Sequence, residues 1–376
     1  MPLPRLFFPS AFMLAAAMAL GVAACNAATN GSWPIFRGDA SLSGVSAESL
    51  PDKPRLLLSF KTEGPVSSSA VVGQDKAFIG SDDGCIYALD FATGQKVWAF
   101  KTAAAVEAPP LLAGSNLYCG STDGFLYAID ARTGKELWRF ETGAKIAGSA
   151  NAFQSAQGLR ILVGSYDFKL YCLEAASGKT NWVYPSANFI NGAPAIADGK
   201  TVFGGCDMIL HVLSLAEGTQ LRECKVDAPI AASPALLGGR AYFGHYENQM
   251  LCVDIESGAT AWRFHDKDLP YFSSPAVSAD RVVFGGDDKA IHCVNRADGR
   301  PAWAFKTRGK IASSPVIARD KVAAGSDDGR LYLLSLGEGK EIWNYDFGQP
   351  VKSSPAVANG KLVIGSQDGA VYCFGP

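Results

Sequence analysis

A glycine followed by a short polar turn recurs eight times, at Gly80, Gly120, Gly164, Gly204, Gly244, Gly285, Gly325 and Gly365. The steps between them are 40, 44, 40, 40, 41, 40 and 40 residues. Self-similarity at one period of this length signals a solenoid, propeller or array, so the 376 residues read as one repeated unit and not as two or three domains. The chain is about half apolar, 19% charged, Gly-rich and close to neutral, which suits a globular all-β protein. A formal net charge of −2 leaves no basic footprint for nucleic acid.

The first full copy, Ser67 to Thr102, breaks into SSSAVVGQD, KAFIGSDDG, CIYALDFATG and QKVWAFKT. Each piece is a short apolar or alternating run bounded by Gly, Asp or Asn, as strands joined by tight turns require. Asp83-Gly84 between the second and third runs is a hairpin signal, because Gly tolerates positive φ there. Four antiparallel strands per copy at this spacing predict one blade of a propeller, and eight copies predict an eight-bladed β-propeller around a central channel. The last copy ends at Tyr372-Cys373-Phe374 and lacks a fourth strand, while Leu56 to Thr62 reads as a fourth strand with no blade of its own. Closing the ring with that N-terminal strand completes the last blade and removes a sheet edge. The predicted domain plan is a leader over 1–24, a lead-in over 25–55 and the propeller over 56–376.

The leader carries Arg5 ahead of a largely apolar stretch from Leu6 to Val22, the layout of a secretory signal with an apolar core short for a membrane span. Val22-Ala23-Ala24-Cys25 resembles a bacterial lipobox, which would make Cys25 a lipidated first residue. Ordinary cleavage near Ala27 or Ala28 is the other reading. With Asn26 after the Cys, the lipobox reading places the protein at the outer membrane, facing the periplasm.

Six copies carry a Trp four residues after the turn Gly: Trp98, Trp138, Trp182, Trp262, Trp303 and Trp343; Arg222 stands in that slot in the fourth copy. A recurring Trp can be a stacking platform, but one large aromatic at the same place in each blade is what wedging between neighbouring sheets requires. Cys172, Cys252, Cys293 and Cys373 share one repeat position where other copies hold Ala88, Ala128, Val212 and Leu333. That pattern marks them as buried thiols, with disulfide pairing the alternative for an exported chain.

Ala88-Leu89-Asp90-x-x-Thr93-Gly94-x-x-x-Trp98 and Ala128-Ile129-Asp130-x-x-Thr133-Gly134-x-x-x-Trp138 resemble the Trp-docking repeat of the quinoprotein (PQQ-type) eight-bladed propellers. The opening Trp33-Pro34-Ile35-Phe36-Arg37-Gly38-Asp39 is also similar to the lead-in of PQQ-like repeat proteins, so the resemblance spans Trp33 to Pro376. It implies two functional branches: dehydrogenases that use PQQ with Ca²⁺, and BamB-type lipoproteins that assist insertion of outer-membrane β-barrels without catalysis. Fold alone does not choose between them. The chain departs from the alcohol-oxidising branch in having no adjacent Cys pair, no long insertions between repeats, and no Trp besides Trp33 outside the repeat slots.

Comparing the copies exposes positions that depart from the scaffold. The second position of the first-strand series holds Ser67, Glu107, Ala147, Asn191, Ala231, Phe272, Ala312 and Lys352, predicted to ring the channel mouth. Glu107, Asn191, Phe272 and Lys352 are its projecting members and the candidates for cofactor or ligand contact. Glu107 and Lys352 lie two blades apart across the closure and are expected to form a solvated salt bridge, with a ligand or peptide contact the other reading. The turns between second and third strands are expected on the same face. There the third to fifth copies exchange Asp-Gly for aromatic and polar residues. Tyr166, Phe168, Phe189, His245, Tyr246, Glu247 and Tyr271 form the predicted protein-binding face. With four His in the chain, no metal cluster is expected, and there is no catalytic triad, phosphate loop or paired-carboxylate motif. The expected function is a non-enzymatic, periplasm-facing scaffold with no cofactor, tied by the resemblance to envelope partners and the barrel-assembly machinery. A PQQ–Ca²⁺ oxidoreductase using the mouth near Glu107 and Asn191, and a ligand sensor without chemistry, are the alternatives.

Overall fold

The computed structural model describes residues 31–376; the leader and Cys25 lie outside the described residues. Eight sheets follow one another around a ring, each with four antiparallel strands that run in chain order in all but the eighth, and Val45–Ser46 adds a parallel fifth strand beside Val316–Ala318. In the first blade these are Val71–Gly73, Lys76–Gly80, Cys85–Asp90 and Lys96–Lys101. The innermost strands are only two to five residues long. The predicted first strands therefore start late. Position two of that series, including Glu107, Asn191, Phe272 and Lys352, precedes the strand in irregular chain, since Ser and Pro there interrupt the ladder.

The ring closes as expected. Arg55–Lys61 pairs antiparallel with Ala370–Gly375 and supplies the fourth strand of the eighth blade. The repeat Trp residues are packing wedges. Trp98 sits over the turn of the second blade, its Nε1 donating to the Ala131 carbonyl at 3.1 Å, and a Cβ on Gly134 would come within 2.7 Å of its ring. Trp138, Trp262 and Trp303 repeat the hydrogen bond to the next blade at 3.0, 2.9 and 2.7 Å. The eight cysteines after Cys25 are free thiols, six of them buried, and burial pushes the Cys172 and Cys293 thiols up to about 12.

The lead-in does more than precede the ring. Its backbone crosses the channel at the end away from the second-to-third strand turns and hydrogen-bonds to the inner strands. Trp33 exchanges two bonds with Val72 at 2.8 Å, and the carbonyls of Pro34, Ala40, Ser41, Ser43 and Gly44 accept from Leu112, Ile196, Leu236, Val277 and Ile317. The Asn151 side chain adds a bond to Ala40, and Glu48 accepts from the Gly360 amide, so all eight blades are touched. Arg37 is wholly buried beneath the channel and donates to the carbonyls of Ser314 (3.0 Å) and Pro315, with desolvation pulling its pKa down to about 9. Gly44 has to be Gly: its φ is +69°, and a Cβ would strike the Arg37 guanidinium.

Candidate functional site at the channel mouth

All eight position-two residues line one cavity of about 200 Å³, which Phe36 of the lead-in also lines. Beneath them runs a serine belt. The Oγ atoms of Ser233, Ser274, Ser314, Ser354 and Ser69 each accept the amide of the preceding blade's residue at 2.8–3.0 Å. These links satisfy backbone groups that the short inner strands leave unpaired. The channel is thus a blind funnel, strapped at one end and open at the other.

The turns between second and third strands reach this same mouth, as expected. Ser67 donates to Asp82 at 3.0 Å, Gln367 to Ser67 at 3.1 Å, Asn191 to the Cys206 sulfur at 3.0 Å, and Lys310 pairs with Asp287 at 2.6 Å. The sequence reading missed Asp82 and Asp327. Both occupy the position just before the turn Asp, which varies across blades as the mouth ring does.

The rim divides into two arcs. In the charged arc, burial raises the pKa of Asp82, and Glu107 adds to that while Ser67 and Lys352 oppose it; burial likewise raises Asp327. One carboxylate oxygen of each, and Oδ1 of Asn191, is buried without a hydrogen-bond partner. Among the described residues Glu107 and Lys352 form no ion pair with each other, contrary to expectation. Asp82 and Asp327 stand close enough to share the ammonium field, so Lys352 serves several carboxylates at once.

In the aromatic arc, Tyr166 stacks on Phe189 (4.8 Å between centroids), Phe168 meets Phe189 edge-on at 5.1 Å, and Tyr246 meets Phe272 edge-on at 4.6 Å. Phe168, Phe189 and Tyr246 remain 40, 39 and 44% exposed. Lys145 lies 4.5 Å over the Tyr166 ring. Phe168 and the exposed Met208 hold φ of 71° and 63° where other blades use Gly, a conformation that costs roughly 1–2 kcal/mol in a side-chain-bearing residue. The ring therefore keeps strained, water-facing apolar side chains on this arc.

Two members of the predicted face are corrected. Tyr271 is fully buried. It fills the slot that Ile230 and Ile311 occupy in neighbouring blades and packs on Phe284 at 5.0 Å. His245 is also fully buried, in the slot of Ser81 and Ser326; its Nδ1 accepts the Glu247 amide at 3.1 Å and desolvation lowers its pKa. Tyr166, Phe168, Phe189, Tyr246, Phe272 and the exposed Glu247 remain on the surface or rim.

The mouth does not suit PQQ. That quinone carries three carboxylates, and Lys352 is the one cationic residue lining the cavity, already shared with Asp82 and Asp327. Six of the seven Trp are repeat wedges and Trp33 pairs with the first blade at Val72, so among the described residues no Trp lines the cavity. The volume also falls short of the roughly 300–1,000 Å³ common for small-molecule pockets.

The solved structures that resemble this one include BamB from Moraxella catarrhalis, at 20% identity and TM-score 0.74 over 86% of this chain and 100% of that one. They also include the quinohemoprotein alcohol dehydrogenase from Comamonas testosteroni, at 14% identity and TM-score 0.77 over 92% of this chain and 81% of that one. A europium-containing methanol dehydrogenase matches at 13% identity and TM-score 0.74 over 92% of this chain and 98% of that one. At such identities these likenesses speak to the fold alone. No curated protein matches the chain in sequence. The profile of one family, described as outer membrane protein assembly factor BamB, matches residues 40–157, 126–221 and 209–374, the overlaps following the internal repeat. Covering nearly the whole propeller, that match places the chain in the BamB family.

Proposed function

We propose that this chain is a non-enzymatic scaffold of the bacterial cell envelope that presents the aromatic arc of its channel mouth to a protein partner in outer-membrane β-barrel assembly. The observation that carries the reading is the rim itself: exposed Phe168, Phe189 and Tyr246 beside Glu247, on a rigid ring whose other end is strapped shut. Exposed aromatics next to polar groups are the anchors that protein interfaces use. Membership of the BamB family supports the assembly role, and the lipobox-like leader supports an outer-membrane anchor facing the periplasm.

The test is in-cell photocrosslinking from Phe189 and Tyr246, followed by capture of the barrel-assembly machinery. Recovery that is lost in a Phe189→Ala/Tyr246→Ala double variant supports the proposal. Crosslinks that never include that machinery sink it. The fold shared with alcohol-oxidising dehydrogenases motivates one control, titration of the folded protein with PQQ, with and without Ca²⁺. A flat titration is expected, and saturable one-to-one binding would overturn the non-enzymatic reading.

A further inference from the structure

Away from the mouth, the junction of the fifth and sixth blades breaks the repeat at three points. In most blades the turn Asp accepts a hydrogen bond from a Tyr four residues on, as Asp83 does from Tyr87 (2.7 Å) and Asp328 from Tyr332 (2.9 Å). The same Asp is also clasped by a backbone amide of the preceding blade, Ala187 for Asp207 and Arg308 for Asp328. The fourth and sixth blades put His in the Tyr slot. The fourth is a closed latch: His211 Nε2 bonds Asp207 at 2.9 Å, its Nδ1 bonds the Tyr184 hydroxyl at 3.1 Å, and the amide clasp is in place.

The sixth blade is an open one. His292 Nε2 meets Asp288 at 2.8 Å, but Phe264 replaces Tyr184 and has no hydroxyl to offer. Among the described residues no backbone amide of the fifth blade reaches the Asp288 carboxylate. The slot in which Thr142 and Thr307 donate to turn carbonyls holds Asp266, which cannot donate when ionised. One donor atom from each of Asp266, Asp288 and His292 lies within 4.8 Å of the others. The Asp288 and His292 side chains are 0 and 2% exposed, and Asp266 faces a cleft of about 550 Å³.

Tyr271 supplies an independent sign. Its ring lies edge-on to His292 at 5.5 Å and is fully buried, yet its hydroxyl makes no hydrogen bond of normal geometry. The basic side chains at the cleft's edge pair elsewhere: Arg263 with Asp227 at 2.7 Å, Arg300 with Asp298 at 3.5 Å and His265 with Asp268 at 3.3 Å. The result is two carboxylates and an imidazole beside a buried phenol, and among the described residues no Lys or Arg pairs with Asp266 or Asp288.

We propose that Asp266, Asp288 and His292 bind a divalent first-row metal ion of the Zn²⁺ class, pinning the fifth blade to the sixth. One imidazole and two carboxylates are a donor set that zinc accepts, with water completing the shell. Donors of a tetrahedral zinc ion at about 2.0–2.2 Å lie roughly 3.3–3.6 Å apart. Entry of the ion therefore opens the Asp288–His292 contact slightly and draws the exposed Asp266 inward.

The experiment is calorimetric titration of the intact protein with Zn²⁺ alone, with metal content measured after dialysis. Three variants accompany it: Asp266→Asn, His292→Tyr, which restores the repeat's own Tyr–Asp pair, and His211→Tyr at the closed latch. One Zn²⁺ per chain is expected, weakened by more than about tenfold in the first two variants, since even outer partners of metal ligands contribute that much. His211→Tyr should bind as the parent does. Should His292→Tyr fail to fold, Asp266→Asn at its exposed position decides. The absence of saturable binding, or binding unchanged by Asp266→Asn and His292→Tyr, overturns the proposal.

Discussion

Leu58 stands across from Cys373 in the register that sets Trp182 across from Cys172 and Trp262 across from Cys252. Leu58 is thus the wedge of the closing strand, packed on Gly94 of the first blade as Trp98 packs on Gly134 of the second. The seam uses the same slot as every other blade junction, with a smaller side chain.

Leu58→Ala should therefore loosen the closure. Full burial of a Leu makes its loss cost about 2–5 kcal/mol, and Leu58 is only partly buried, so about 1–2 kcal/mol is expected. Urea denaturation measures it, with a lowered midpoint at unchanged slope. An unmoved midpoint would show that backbone pairing alone holds the seam.

Gly134 and Gly114 separate backbone strain from wedge packing. Both hold positive φ, 73° and 61°, but a Cβ at Gly134 would meet the Trp98 ring at 2.7 Å, whereas at Gly114 nothing lies within 4 Å. Gly114→Ala should cost about 1–2 kcal/mol from conformation alone. Gly134→Ala should cost more and change the fluorescence of Trp98, whose hydrogen bond to Ala131 lies in the same contact. Equal costs would contradict the wedge.

The two rim carboxylates make a pH prediction. Burial raises the pKa of Asp82 and Asp327 in the folded state, so the folded chain binds more protons than the unfolded one between the ordinary Asp value and the raised one. Their charge thus costs stability above that window and nothing below it. Asp82→Asn, which keeps an acceptor for Ser67, should raise the melting temperature at pH 7, with the gain vanishing as pH falls toward 4. A gain that persists in acid would mean that packing, not charge, was relieved.

The repeat made blade number, wedge positions, ring closure and the location of the mouth readable from the chain alone, because each depends on one slot compared across eight copies. Tyr271 and His245 were misplaced onto the surface for a related reason. Aromatic and imidazole side chains look like surface departures, but their slots are those of Ile230 and Ser81, which face inward. The open latch was hidden because Asp266, Asp288 and His292 come from two blades and share no motif. Its signal was there slot by slot, in Asp for Thr and His for Tyr. The lead-in gave no such signal, since its grip on the inner strands is almost entirely backbone.

That strap has a consequence for how the chain comes together. Residues 33–48 precede every blade in the chain, yet their partners extend from Val72 to Gly360. The opening segment cannot finish docking until the last blade exists, and the last blade is incomplete until Arg55–Lys61 joins it. Contacts of such long sequence separation make assembly slow and late. The ring therefore stays open until its eighth blade has been made, and then sets as a unit.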